Sequence, residues 1–233
     1  MALLTVSLLG LAIATPRSRL LTLDLDGHAF HFQAGQAVMM GPHGSSDRRP
    51  FSIANAPDGA ATARQLELLI AADIGTDLSW ASPGALVDID GPIGTFTYDN
   101  APAQPHVLFV AGGVGIAPLR SMMHQALHVS PAPTITLLYS ARRSDEFAFI
   151  EEFQAHARSG RITLHQTVTR HDGDDWQGRR GRVGRGEFEA VLQHPTATTC
   201  FVCGPNALVT ETVETLKALG VPDGLVRIEQ WGR

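Results

Sequence analysis

The sequence predicts two parts of different architecture: antiparallel β structure over residues 1–100 and a parallel-sheet α/β structure over residues 104–233. In the first part, short β-forming runs are separated by Gly and Pro turns, which is typical of a closed barrel or a sandwich. In the second part, continuous apolar strands alternate with helical segments, which indicates a parallel sheet covered on both faces. Residues 99–105 contain two prolines and polar residues, as a linker does.

The composition limits the function classes. Of 233 residues, 44% are hydrophobic and 18% are charged, so the chain can bury a core and is not a disordered segment. The formal net charge of −5 gives no indication of nucleic-acid or membrane binding. The two cysteines, Cys200 and Cys203, are too few to hold an iron–sulfur cluster. We therefore expect a cytoplasmic protein that binds neither nucleic acid nor a membrane.

The N-terminal segment has two interpretations. Ala12-Ile13-Ala14 resembles a signal-peptidase site, but no positive residue precedes the apolar run. We favour two antiparallel strands, 4–14 and 19–25, joined through Thr15-Pro16-Arg17. The first part has further predicted strands at 29–33, 36–40, 50–54, 65–71 and 85–90. Among the intervening turns we count Pro57-Asp58-Gly59.

Regular alternation defines the second part. Strands are predicted at 106–111, 134–139, 161–168, 199–203 and 225–230, and helices at 118–129, 145–158, 186–193 and 206–219. Cys200 and Cys203 lie three residues apart on a predicted strand and therefore point to opposite faces. A disulfide between them is not expected.

A glycine-rich loop joins the first of these strands to the first helix. It has the sequence Gly112-Gly113-Val114-Gly115-Ile116-Ala117-Pro118. Glycine lets the backbone approach a pyrophosphate closely, and the free N–H groups of the following helix attract the anion. Pro118 suits the first helical turn and replaces the third glycine of the usual dinucleotide fingerprint. A tight turn without a ligand is the alternative.

Five motifs, in order along nearly the whole chain, together resemble the ferredoxin–NADP reductase superfamily. They are Phe32-Gln33-Ala34-Gly35-Gln36, Arg49-Pro50-Phe51-Ser52, Gly91-Pro92-Ile93-Gly94-Thr95-Phe96, the loop 112–118, and Cys203-Gly204-Pro205. The resemblance implies a six-stranded antiparallel Greek-key barrel that binds FAD (1–100) and an α/β domain that binds NAD(P) (104–233). The flavin is then held between the two.

The resemblance assigns flavin contacts to the motif that contains Pro50. Arg49 is expected to bind a pyrophosphate, Phe51 to lie against the flavin where the family usually has Tyr, and Ser52 to hydrogen-bond N5. The phosphate ligands are expected in a shortened segment with Gly75, and the choice between Thr76 and Ser79 stays open. Because the helix after this segment is expected to be shortened, contacts to the adenine of FAD are not assured, and FMN remains an alternative to FAD. An ordinary barrel strand beginning at Pro50 is the non-functional alternative.

The resemblance also assigns the face where the hydride is transferred. Cys203 is expected to line it, together with Gly204 and Pro205, and Glu229 to relay a proton to the reduced flavin. Trp231 either stacks near the ring or anchors the C-terminus. Hydride transfer needs stacked rings in dry surroundings rather than an acid–base dyad.

A basic turn bears on nucleotide preference. Domains that prefer NAD often carry an acidic residue after the second strand, whereas this strand ends in Ser140, followed by Arg142 and Arg143. With Arg170 after the next strand, these groups suit a 2′-phosphate, so NADPH is favoured over NADH. The alternative is a solvated turn that pairs with Asp145 and Glu146.

Two other patterns are assigned to the surface. His124 and His128 share a helical face with Arg120, which we interpret as solvated, so no metal site is predicted. The basic segment 177–182 is interpreted as a surface turn that could face an acidic electron acceptor.

The leading hypothesis is therefore a reductase that passes electrons from NAD(P)H through FAD to a separate ferredoxin, flavodoxin or oxygenase component. One alternative is an electron-transfer subunit of a larger redox complex. Another is a nucleotide-binding regulatory module without catalysis.

Overall fold

The computed structural model describes residues 3–25, 27–72, 77–98, 104–170 and 176–231. Its first sheet is antiparallel and has the strand order β4-β3-β6-β1-β2-β5. The strands are β1 (Leu4–Thr15), β2 (Ser18–Asp24), β3 (Ala37–Pro42), β4 (Arg49–Ser52), β5 (Gln65–Ala71) and β6 (Leu86–Ile93). A bridge between Ile53 and Leu68 joins the β4 edge to β5, so the sheet closes into the predicted barrel.

Alternating side chains build the barrel core. Leu21 and Leu23 on β2 are buried, as are Leu66 and Leu68 on β5, while Glu67 between the last two points away from that core. This period of two is the property of a pleated strand that buries one face. The apolar pattern therefore fixes which side of each strand faces inward.

The structure corrects two predictions in this part. Residues 29–33 do not form a strand, and the predicted turn at Pro57 is instead the first turn of helix α1 (Pro57–Ala63). Proline suits that position because its missing N–H would have no partner there. The helix ends at Arg64, which has a left-handed backbone with φ of +54°.

The second sheet contains β7 (His106–Gly112), β8 (Thr134–Ala141), β9 (Thr163–Val168), β10 (Arg179–Arg180), β11 (Thr198–Pro205) and β12 (Val226–Trp231). All neighbouring strands are parallel, in the order β10-β9-β8-β7-β11-β12. Its helices are α2 (Ile116–Ala126), α3 (Ile150–Arg158), α4 (Arg185–Val191) and α5 (Asn206–Ala218). The predicted α/β architecture is confirmed, and β10 is an addition from the segment interpreted as a surface turn.

Strand order reverses between β7 and β11. In open parallel sheets, ligands bind at the carboxyl ends of the strands beside such a reversal. The two cysteines mark the faces of the sheet, because Cys200 is buried among α4 and α5 residues and Cys203 among α2 residues. The two cysteines do not form a disulfide with each other, as predicted from their spacing, and burial raises the pKa of the Cys200 thiol to about 12.

Aromatic rings join the barrel to the second sheet. Phe96 and Tyr98, which follow β6, lie with ring centroids 5.9 Å and 6.0 Å from that of Phe201 on β11. Phe201 in turn stacks on Phe109 of β7 at 5.5 Å. No helix in the described ranges is both long enough and apolar enough to cross a membrane.

Asp88 on β6 ties a loop to the barrel. Its side chain is 3% exposed and accepts hydrogen bonds from Thr5 Oγ1 at 2.7 Å and the Gly44 N–H at 2.9 Å, while His43 Nδ1 lies at 2.8 Å. Hydrogen bonds from His43, Gly44 and Thr5 lower the pKa of Asp88 to about 2. An aspartate in an unfolded chain titrates near pH ~3.9, so the ionised form stabilises the folded state above that pH.

We therefore expect the free energy of unfolding to fall as pH drops from about 4 towards 2, where Asp88 becomes protonated. Asp88→Asn should lower stability at neutral pH and flatten this acid limb, as measured by chemical denaturation at a series of pH values. Asp47→Asn, at an exposed residue of the neighbouring loop, is the control. An equally steep acid limb in both variants would contradict the assignment.

Candidate functional site

The glycine loop is shaped by its close approach to β11 and α5. Gly113–Gly115 form one 3₁₀ turn between β7 and α2, and Gly113 has a left-handed φ of +55°. A Cβ on Gly115 would lie 2.4 Å from the Cys203 carbonyl oxygen, and one on Gly112 would lie 2.6 Å from Leu208 Cδ2. Only glycine fits these two positions without displacing the neighbouring atoms. The loop therefore presents the N-terminus of α2 at the reversal of strand order, as an anion site requires.

A buried tyrosine braces this loop. Tyr139 on β8 donates a hydrogen bond to the Gly113 carbonyl at 3.2 Å and accepts one from the Ala148 N–H at 3.1 Å. Burial raises the pKa of Tyr139, so the hydroxyl stays protonated and keeps its donor role. This brace could not be predicted from sequence, since Tyr139 only continues an apolar strand.

A cleft of about 430 Å³ opens beside the loop. It is lined by the predicted nucleotide residues Gly112, Gly113, Val114, Gly115, Ser140, Arg142, Arg170, Gly204 and Pro205. The barrel also contributes to it, through Thr15, Arg17 and Ser18 at the β1–β2 turn. These barrel residues were not predicted, because only the packing of the two parts brings that turn to the cleft.

Arg182 is another unpredicted residue of the cleft. It donates a hydrogen bond from Nη1 to Glu211 Oε1 at 2.5 Å, and both residues line the cleft. It belongs to the basic segment that we assigned to the surface. Arg182 therefore places part of this segment at the cleft, and the expectation that the segment faces an acidic acceptor stays a prediction.

Arg143 and Pro118, which were predicted to bind the nucleotide, lie outside the cleft lining. Arg143 Nε lies 3.6 Å from Asp145 Oδ1, with both side chains about half exposed, so the alternative of a paired basic turn applies to Arg143. Pro118 is buried in the first turn of α2. It supports the start of the helix rather than the surface of the cleft.

Three predicted residues meet where the barrel joins the second sheet. Ser52 Oγ on β4 donates a hydrogen bond to Glu229 Oε2 at 3.3 Å, and Cys203 Sγ lies 3.9 Å from the same oxygen. Cys203 and Glu229 are register neighbours on β11 and β12. One carboxylate oxygen therefore contacts a buried hydroxyl of the barrel and a buried thiol of the α/β part.

The strand that carries Ser52 also carries the rest of the flavin motif. Arg49 and Pro50 are exposed, and Phe51 is half-buried against the barrel core. A guanidinium, an aromatic ring and a hydroxyl thus follow one another along four residues of β4. This donor set fits a flavin, which offers an anionic phosphate tail, an apolar ring and a hydrogen-bonding N5.

The remaining predicted flavin residues are Gly75, Thr76, Ser79 and Trp231. Gly75 and Thr76 lie outside the described residues. Ser79 is exposed, and its N–H donates a hydrogen bond to Asp77 Oδ1 at 2.9 Å, so this carboxylate occupies a donor that a phosphate would need. Trp231 ends β12 opposite Pro205, and its side chain is outside the described structure.

The histidine face of α2 is solvated at His128, as interpreted, but Arg120 and His124 are partly buried and paired, which corrects our interpretation for these two residues. His124 Nε2 lies 2.6 Å from Glu152 Oε1, and the Arg120 side chain is only 11% exposed. His124, Glu152 and His156 place their possible ligand atoms within 4.8 Å of one another. Both oxygens of Glu152, however, already accept hydrogen bonds from Arg120. The carboxylate charge is thus compensated by a guanidinium, and we assign no metal to this cluster.

The sequence is similar to those of known proteins. Residues 109–214 match the family "Oxidoreductase NAD-binding domain". The chain is 35% identical over 216 residues to ferredoxin–NADP reductase B of Sorangium cellulosum (strain So ce56), with 88% of each chain covered. It is also 31% identical over 156 residues to one subunit of the Na(+)-translocating NADH-quinone reductase of Klebsiella pneumoniae, a match that covers 64% of this chain and 38% of that one.

The fold is likewise similar to a solved structure. A ferredoxin NADP+ reductase from Neisseria gonorrhoeae with bound FAD and NADP superposes with a TM-score of 0.80 over 99% of each chain. The sequence identity is 17%, so this likeness concerns the fold.

The close approach of Gly115 to Cys203 gives a direct test of the loop. In Gly115→Ala the new Cβ must displace the Cys203 carbonyl or the loop, so we expect dinucleotide affinity to fall about tenfold or more, or ~1.4 kcal/mol. Titration with NADPH and NADH would measure it. Gly186→Ala on α4, where an added Cβ meets nothing within 4 Å, is the matched control and should bind normally. Unchanged affinity in Gly115→Ala would contradict the assignment of this loop.

Proposed function

The chain belongs to the ferredoxin–NADP reductase family, and we propose that it oxidises NADPH and delivers the electrons to a separate acceptor protein. Membership makes the protein an FAD-dependent NAD(P)H oxidoreductase. We assign residues 1–100 to the FAD-binding domain and residues 104–233 to the NAD(P)-binding domain. The choice of nucleotide, the acceptor and the roles of single residues are the proposal.

The contact of Ser52 and Cys203 with one oxygen of Glu229 carries the proposal. When bound beside β4, FAD supplies a hydride acceptor that can release electrons to a partner. Ser52, whose hydroxyl donates to Glu229 in this structure, would be the residue that hydrogen-bonds flavin N5, with Glu229 as the proton relay behind it. Cys203, fully buried, keeps water from the nicotinamide side. The three residues therefore act as one unit across the domain junction.

The other flavin contacts follow the family motif. Arg49 is proposed to bind the pyrophosphate and Phe51 to lie against the ring, with Pro50 fixing the start of β4. The backbone of Gly75 and a hydroxyl of Thr76 or Ser79 are proposed as phosphate ligands. Trp231 is proposed to cover the ring from the C-terminal side.

The charges of the cleft support NADPH. Arg142 and Arg170 are tied together because the Arg170 N–H donates to the Arg142 carbonyl at 2.7 Å, and both line the cleft with Ser140. Two guanidiniums and a hydroxyl match a 2′-phosphate. Glu211, an acidic residue in the same cleft, is paired with Arg182 and so repels a phosphate less.

The acceptor is proposed to be a ferredoxin, a flavodoxin or an oxygenase component. A second candidate, an electron-transfer subunit of a larger complex, is favoured by the similarity to a subunit of the NADH-quinone reductase. The nucleotide separates the two, since preference for NADH together with stable co-purification of other subunits would favour the second.

The absorption spectrum of the purified protein tests the proposed function. We expect a yellow protein whose visible flavin bands are bleached by NADPH under anaerobic conditions, and FAD rather than FMN on release of the cofactor. A colourless protein that FAD cannot reconstitute would support a regulatory module instead.

Arg142→Ala tests nucleotide preference. Loss of a charged hydrogen bond to the 2′-phosphate should cost about 1.5–3 kcal/mol, which lowers kcat/KM for NADPH by roughly 10- to 150-fold and leaves NADH nearly unaffected. Arg143→Ala is the matched control, because Arg143 lies outside the cleft lining. Equal losses with both nucleotides would argue against the assignment.

A further inference from the structure

One guanidinium on α2 bonds three separate elements. Arg120 Nη1 donates to Glu67 Oε2 on β5 at 2.6 Å and to the Ala54 carbonyl, just after β4, at 3.1 Å. Its Nε and Nη2 bond Glu152 of α3, with the shortest distance 2.8 Å, and its Cζ lies 4.3 Å from the centre of the Phe149 ring. The side chain thus joins the α/β part to two strands of the barrel.

The next residue of α2 repeats the attachment. Ser121 Oγ donates to the Asn55 carbonyl at 2.8 Å and is fully buried. Asn55 is itself fixed to β5, since its Nδ2 donates to the Gln65 carbonyl and its Oδ1 accepts from the Glu67 N–H. Consecutive residues of one helix therefore hold consecutive carbonyls of one barrel segment.

The bonds of Arg120 and Ser121 to the barrel form a clamp that lies close in sequence to both proposed binding elements. Helix α2 starts at Ile116, directly after the glycine loop, and the clamped segment begins two residues after Ser52. A helix is a stiff spacer with a rise of about 1.5 Å per residue. The clamp therefore fixes the separation between the loop that binds the nucleotide and the strand that binds the flavin.

We infer that Arg120 is a positioning residue for hydride transfer, which sets the distance between nucleotide and flavin without touching either. The inference rests on the proposed function. A hydride passes only between rings in close contact, and a misplacement of about 1 Å can cost roughly 100-fold in rate. The residue was expected on a solvated face, so nothing in the sequence pattern assigned it this role.

The ionisation states of Arg120 and Glu152 keep the clamp bonded at neutral pH. Burial alone would raise the pKa of Glu152, but hydrogen bonds from His124 and Arg120 lower it to about 2. Burial alone would lower the pKa of Arg120, but its two carboxylate partners raise it. Both groups are therefore ionised throughout the neutral range. The guanidinium geometry matters as well, because lysine carries the charge but cannot form the same fork of hydrogen bonds.

The test compares Arg120→Lys with the wild-type holoenzyme in three measurements. We expect the single-turnover rate of flavin reduction to fall about 10- to 100-fold, while the Kd for NADPH stays the same. Amide hydrogen exchange within residues 54–67 should become faster. If Arg120→Lys does not fold, Glu67→Gln removes the charge of the barrel partner at nearly constant shape and should show the same pattern more weakly.

Two control variants separate positioning from stability. Leu216→Ala opens a cavity in the core on the opposite face of the sheet and should lower Tm without slowing flavin reduction. Arg185→Lys alters an exposed pair with Glu189 and should change none of the measurements. A wild-type rate and wild-type exchange in Arg120→Lys would overturn the inference, as would an equal slowing in Leu216→Ala. If neither nucleotide reduces the wild-type flavin, the proposed function fails, and the exchange measurement still tests the clamp.

Discussion

Parallel pairing between β7 and β11 places the ends of two strands that are distant in sequence at one edge of the sheet. The register sets Cys203 beside Ala111, so that the glycine loop after β7 packs against the Cys203 backbone. With no space for a Cβ at Gly112 or Gly115, the loop packs this closely only because both residues are glycine. The helix α2 that continues from it then points its N-terminus at the cleft, and every other feature of the site is placed relative to this helix.

Two kinds of contact attach the barrel to the α/β part. Phe96 and Tyr98 pack on Phe201, but such hydrophobic packing is non-directional. Direction comes from the hydrogen bonds of Arg120 and Ser121 to the segment after β4. Displacing these partly buried groups is costly, because each broken hydrogen bond leaves a donor or acceptor without its partner. This combination explains how two domains present Ser52 and Cys203 to the same oxygen of Glu229.

Charged side chains are used differently in the nucleotide cleft and at the junction of the two parts. In the nucleotide cleft, arginines exceed the acidic residues, and Glu211 is neutralised by Arg182. At the junction, by contrast, a single guanidinium pairs with both Glu67 and Glu152. The cleft therefore has an excess of positive charge that can attract an anionic ligand. The Arg120 guanidinium, in contrast, is paired with carboxylates of the protein itself.

Local patterns along the chain were enough to predict the two architectures and the glycine loop between β7 and α2, because in each of them residue type, spacing and neighbouring strand appear together. They did not predict the helix at Pro57, the absence of a strand at 29–33, or the burial of Arg120. Arg120 lies on the polar side of an amphipathic helix. The amphipathic pattern predicts which side of the helix packs on the core, but not which groups cover the other side. Glu67 and Glu152, from distant parts of the chain, enclose that side, and Arg182 is turned into the cleft in the same way by Glu211. These roles arise in the tertiary structure, because the partners of a charged side chain are set by which elements pack together and not by its sequence neighbours.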